Sequence, residues 1–190
     1  MQCLRIRNCL RKLTAGSRAV RVLRGLTACA ALFVLVFIFL NSAATAEESG
    51  GESLAVTKVL AEIAVKDYTH LPPEEQAEVL NGMHAYVRTA AHFSEYALLG
   101  FLVMLLVLSF DADFRPAFSR HWVRYPVTFG FCVLYAAGDE FHQLFVDGRV
   151  ADVADVLTDS AGALFGCAVA LALGVLISVI CRRRAARRFS

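Results

Sequence analysis

Residues 124–143 read RYPVTFGFCVLYAAGDEFHQ, and the fold turns on where this stretch sits. Only 14 uncharged residues separate Arg124 from Asp139. A helix needs about 20 residues to cross the hydrocarbon of a bilayer. A span built here must therefore take in Asp139, Glu140 and His142. A second stretch has the same shortage: 15 uncharged residues lie between Glu95 and Asp111, so a span there includes Glu95 and His92. Tilting makes the shortage worse, because a tilted helix needs more residues to cross. Ionisable groups at membrane depth are costly, and they persist where they face a bundle interior and find partners.

Two longer apolar runs flank these. Gly25 to Ala46 carries no charge and contains ALFVLVFIFL; Ser160 to Cys181 is also uncharged. Across 190 residues, 57% are hydrophobic and 19% charged, and the mean hydropathy is +0.55. Such values exclude a disordered chain, a disulfide-rich secreted module and an ordinary cytosolic enzyme. The expected fold is all-α: a polytopic membrane protein with a four-helix transmembrane bundle and outer amphipathic helices. Its spans are expected at about 26–46, 91–110, 124–144 and 158–180, between a basic arm over 1–25 and a basic tail over 181–190.

Charge placement orients the chain. The net charge of +2 conceals Arg5, Arg7, Arg11, Lys12, Arg18, Arg21 and Arg24 at one end and Arg182, Arg183, Arg184, Arg187 and Arg188 at the other. Each arm abuts an apolar run, which fits cytoplasmic retention of positive residues and not nucleic-acid binding. The middle connection carries Arg115, Arg120 and Arg124; the outer ones carry few cations. Both termini are therefore expected on the cytoplasmic side of the membrane. Ala44-Thr45-Ala46 after an apolar core also resembles a signal-peptide cleavage site, but the core is longer than usual, which favours a retained anchor. None of the six cysteines falls in an outer loop and no CxxC pair exists, so no disulfide framework is expected.

In the first outer loop, Val56, Val59, Leu60 and Ile63 share a helical face. Beyond Pro72-Pro73, Val79, Leu80, Met83 and Val87 repeat at helical spacing. These segments fit amphipathic helices at the interface or a small cap packed on the bundle.

Three polar stripes are expected to meet at one depth. His84, Arg88, His92 and Glu95 share a face, as do Asp139, His142 and Gln143, and then Asp152, Asp155 and Asp159. Gly162 and Gly166 extend the last stripe as a small-xxx-small pair that lets helix backbones approach. Together with Glu140, six carboxylates face two permanent cations, Arg88 and Arg149. Some must protonate, pair or hold a cation. Asp147-Gly148 offers a tight turn that would aim Arg149 inward. The candidate cluster is therefore His92, Glu95, Asp139, Glu140, His142, Gln143, Arg149, Asp152, Asp155 and Asp159. Acid–base chemistry, metal ligation and a structural network all remain open to it. No HExxH, phosphate loop, dinucleotide fingerprint or Ser-His-Asp pattern is visible, so no metal or cofactor is assigned.

The same residues carry a resemblance. GDEFHQLFVDGRVADVADVLTDSAGALFG at 138–166 is similar to the DE-HQ, GR and D-x-x-x-D-x-x-G signature of the VanZ-like family of small bacterial membrane proteins. RTAAHFSEYALLGFL at 88–102 resembles that family's AHF and EY-x-x-LG segment, and AEESGGES at 46–53 its serine-rich stretch. Asn41-Ser42-Ala43-Ala44 departs from the usual phenylalanine-serine-serine-glutamine, and Asp147 stands where proline is common. The resemblance implies an envelope-associated membrane protein linked to resistance to the glycopeptide teicoplanin, with no fixed reaction. Its implied partners are the bilayer and a lipid-linked envelope precursor or the glycopeptide itself. A membrane-embedded enzyme and a non-catalytic assembly protein are the alternatives.

Overall fold

A computed structural model describes residues 18–110 and 118–187. Five helices make up that set: α1 Arg18–Ala43, α2 Ala46–Ala64, α3 Pro73–Ser109, α4 Phe118–Gln143 and α5 Val153–Arg187. A 3-10 turn occupies Tyr68–His70, and no strand occurs among the described residues. The basic arm over 1–17, Arg115 of the middle connection and residues 188–190 lie outside the described residues.

Among the described residues, α1, α3 and α5 are long and apolar enough to cross a membrane. The remaining expected span corresponds to α4, which falls short of that measure. Its apolar middle is bounded by Arg124 at one end and by Asp139, Glu140 and His142 at the other, which is the shortage already visible in the sequence.

Two boundaries differ from expectation. The first helix stops at Ala43 because Thr45 starts the next one. Thr45 Oγ1 accepts from the Glu48 backbone N–H at 3.3 Å, and Glu48 Oε2 accepts from the Thr45 N–H at 3.0 Å. This reciprocal pair is a capping box. The bonds from Thr45 hold the Glu48 carboxyl below its usual range. The second difference is that the outer helix and the second span are one element. Pro73 at its first turn and Glu74 and Glu75 beside it suit a helix start. No later proline interrupts the run to Ser109. Its 37 residues extend about 55 Å at 1.5 Å per residue, well beyond a hydrocarbon core of about 30 Å.

Residues 46–91 therefore form a helical hairpin standing on the bundle. Thr57 and Ala61 of α2 are buried in it, whereas Val56, Val59, Leu60 and Ile63 are exposed. The expected helix exists, but its small residues make the contact and its apolar stripe faces outward. Small side chains permit the closer backbone approach.

In the bundle, Val34 and Ile38 of α1, Tyr96 and Leu99 of α3, Cys132 and Ala136 of α4 and Ala163 of α5 form one apolar core. The most extensive pairing is α3 against α5. Glycine makes it possible: a Cβ on Gly162 would meet the Phe93 carbonyl, and one on Gly166 the Ala97 carbonyl. At the far end of the bundle, Arg24 of α1 donates through Nε to the Ser109 carbonyl at 3.0 Å and lies 4.7 Å from the centre of the Phe110 ring. Large apolar side chains such as Leu32, Phe33, Leu134, Phe165 and Leu176 point outward. A soluble protein would bury such residues; a bilayer solvates them.

Candidate functional site

The end of the bundle that carries the hairpin holds a cavity of about 240 Å³. Successive turns of α3 supply Arg88, His92 and Glu95. From α4 come Asp139 and Gln143. The end of α1 and the start of α2 contribute Asn41, Ser42, Ser49, Glu52 and Ser53, and Arg149 closes one side. A second cavity, about 320 Å³, lies alongside and is lined by Ser49, Arg88, Arg149, Asp152 and Asp155. Arg88 and Arg149 border both.

The turn before α5 positions Arg149. Gly148 adopts φ +73°, a conformation that a side chain disfavours. The Arg149 amide then closes on the Val146 carbonyl at 3.1 Å. The guanidinium turns back to the end of α1, where Nε donates to the Ala44 carbonyl at 3.1 Å and Nη2 to the Asn41 carbonyl at 3.0 Å. These two acceptors belong to the unpaired carbonyls that end a helix. Burial lowers the hold of Arg149 on its proton, and the nearby Arg88 lowers it further.

Beneath the cavity, Asp159 of α5 is fully buried, and its Oδ1 lies 3.2 Å from His92 Nδ1. Its Oδ2 has no partner among the described residues. Glu95 accepts one hydrogen bond, from Asn41 Nδ2 at 3.1 Å. Asp139 is 7% exposed. Two ion pairs occur among the described residues, His92 with Asp159 and Arg88 with Asp155 at 3.6 Å. Glu95, Asp139 and Arg149 belong to neither.

The other candidates do different work. Glu140 is buried and accepts from Gln143 Nε2 at 2.9 Å and from the Asp152 amide at 2.9 Å, tying α4 to the turn before α5. Asp152 Oδ1 accepts from the Ala154 N–H at 2.8 Å and caps α5. His142 turns away from the cavity and packs on the Phe39 ring at 4.9 Å between centroids. His92, Glu95, Asp139, Gln143 and Arg149 thus share the first cavity, and Arg149, Asp152 and Asp155 the second. No group of three His, Cys, Asp or Glu side chains among the described residues is arranged to hold a metal ion.

The candidate cluster read from the sequence left out Asn41, Ser42, Ser49 and Ser53. Ser53 Oγ lies 2.7 Å from His84 Nε2, across the hairpin. The signal was the serine-rich stretch AEESGGES, which places Ser49 and Ser53 one helical turn apart on the same side.

Long apolar helices around a partly buried group of acids, histidine and arginine define a helical membrane protein. Over residues 27–182 the chain matches the family described as VanZ/LLP1, and it belongs to that family. No curated protein and no solved structure matches it.

Proposed function

We propose that this VanZ-like protein spans the bacterial cytoplasmic membrane four times, with α4 as its third span and both termini in the cytoplasm. Its polar cavity then opens at the outer leaflet. There it engages a lipid-linked envelope component and so contributes to tolerance of the glycopeptide teicoplanin. The observation that carries this reading is the cavity itself. Side chains from four helices and a loop converge on charged groups at the hairpin end of the bundle, where a lipid headgroup would lie. Positive residues at Arg18, Arg21, Arg24 and Arg124 crowd the opposite end, which supports the orientation.

The test uses cells that express the protein. Glu95→Ala, Asp139→Ala and Asp155→Ala, made singly, should each restore teicoplanin susceptibility while membrane levels of the protein stay normal. Unchanged susceptibility at normal levels contradicts the resistance role. Loss of the protein itself from the membrane would instead indicate a non-catalytic assembly role in which these groups serve packing.

One observation favours a second reading, a membrane-embedded enzyme acting on a lipid-linked intermediate. His92 lines the cavity with Nδ1 engaged by Asp159, an arrangement that orients an imidazole for proton transfer through Nε2. Turnover of labelled envelope lipids by the purified protein distinguishes this reading from simple binding.

A further inference from the structure

The charges around the cavity are separated in an unusual way. Glu95 and Asp139 line it without an ion-pair partner among the described residues. Arg149 lines the same space, yet its Nε and Nη2 bond to the carbonyls of Ala44 and Asn41 and not to either acid. Arg88 is bound only loosely, since 3.6 Å to Asp155 is too long for a hydrogen bond. Opposite charges that could neutralise each other are thus held apart by the end of α1. Uncompensated charge in a half-enclosed space costs free energy, and a ligand that carries both complementary charges removes the cost at both ends.

Resting on the lipid-binding reading above, we infer that the group bound here is zwitterionic: a phosphate ester on Arg88 and Arg149 joined by a short linker to an amine that reaches Glu95 and Asp139. Guanidinium groups bind phosphate oxygens through paired donors. The arginines border both cavities, so the phosphate would sit where they join, with the acyl chains directed out to lipid. A purely anionic headgroup would meet Glu52, Glu95 and Asp139 across the first cavity and Asp152 and Asp155 across the second. A quaternary ammonium has no N–H to donate to the two carboxylates.

The experiment is native mass spectrometry of the full-length protein in detergent, with phosphatidylethanolamine, phosphatidylcholine or phosphatidylglycerol added at equal concentration. Phosphatidylethanolamine should be retained at least about tenfold more than either of the others, a difference of about 1.4 kcal/mol. Arg88→Gln, on a half-exposed side chain, should reduce retention of phosphatidylethanolamine by about tenfold. Glu95→Gln with Asp139→Asn should abolish its advantage over phosphatidylglycerol. Added phosphoethanolamine separates the sources: displacement at equal concentration assigns a soluble ester, and no displacement assigns the lipid. Equal retention of the three lipids overturns the inference, as does preference for phosphatidylglycerol or indifference to Arg88→Gln. Equal retention or a preference for phosphatidylglycerol leaves the resistance role to the susceptibility test above, whereas displacement by phosphoethanolamine contradicts a lipid ligand.

Discussion

Gly166→Val should destabilise the protein more than any change at the cavity. A Cβ on Gly166 would run into the Ala97 carbonyl and approach the Phe101 amide nitrogen at 2.8 Å, both of them backbone atoms of α3. Backbone cannot swing aside as a side chain can, so α5 and α3 would have to separate along their main interface. Overpacking a core by a few atoms costs about 1–3 kcal/mol when side chains can adjust. Valine here should exceed that range. Gly130→Val is the matched control, since a Cβ on Gly130 meets nothing within 4 Å. In thermal unfolding of the purified protein, Gly166→Val should melt far below wild type, if it folds, and Gly130→Val close to it. Equal midpoints for the two variants would contradict the close packing of α3 on α5.

Asp159→Ala should have the next largest effect. Asp159 is fully buried and spends one oxygen on His92 Nδ1 at 3.2 Å. Breaking a buried charged pair from one side costs about 3–5 kcal/mol, because the surviving partner keeps its desolvation penalty. Here His92 can shed its proton and escape part of that penalty, so we expect a loss of about 3 kcal/mol. His92→Ala should cost a similar amount, because Asp159 would then lose the hydrogen bond to its Oδ1 while its Oδ2 already lacks a partner among the described residues. The double variant should fall short of the sum by about 2 kcal/mol, as expected for residues in contact. Additive losses would mean that the two side chains are not coupled.

Much of this architecture is legible in the chain. The shortage of apolar residues around Asp139 and Glu95 is enough, by length alone, to place both groups inside a helix. The same shortage explains why α4 falls short of the measure that α1, α3 and α5 meet among the described residues. The paired glycines at 162 and 166 announce close packing, and Asp147-Gly148 the turn that carries Arg149 inward. Other features are not legible, for physical reasons. Periodicity shows which residues share a face but not what that face meets. Val56, Val59, Leu60 and Ile63 fit an interfacial face or a packed one equally well by spacing, and it is Thr57 and Ala61 that make the contact. His142 shares a stripe with Asp139, yet a helical stripe is wide enough for Phe39 of α1 to capture the imidazole. Asn41 and Ser42 sit at the end of an apolar run, in a segment that departs from the family's usual residues, so spacing alone assigns them no role. Asn41 meets Glu95 and Arg149, and Ser42 meets the Asp139 carbonyl, all more than 50 positions away.

The orientation of the cavity underlies everything proposed about its ligand, and single cysteines report it directly. In a variant freed of its native cysteines, Gly50→Cys and Val150→Cys flank the cavity, and Asp113→Cys lies in the connection between α3 and α4. A membrane-impermeant maleimide applied to intact spheroplasts should label positions 50 and 150 and leave 113 unmodified until the membrane is breached. Labelling of position 113 alone in sealed spheroplasts would place the cavity on the cytoplasmic face and contradict the account.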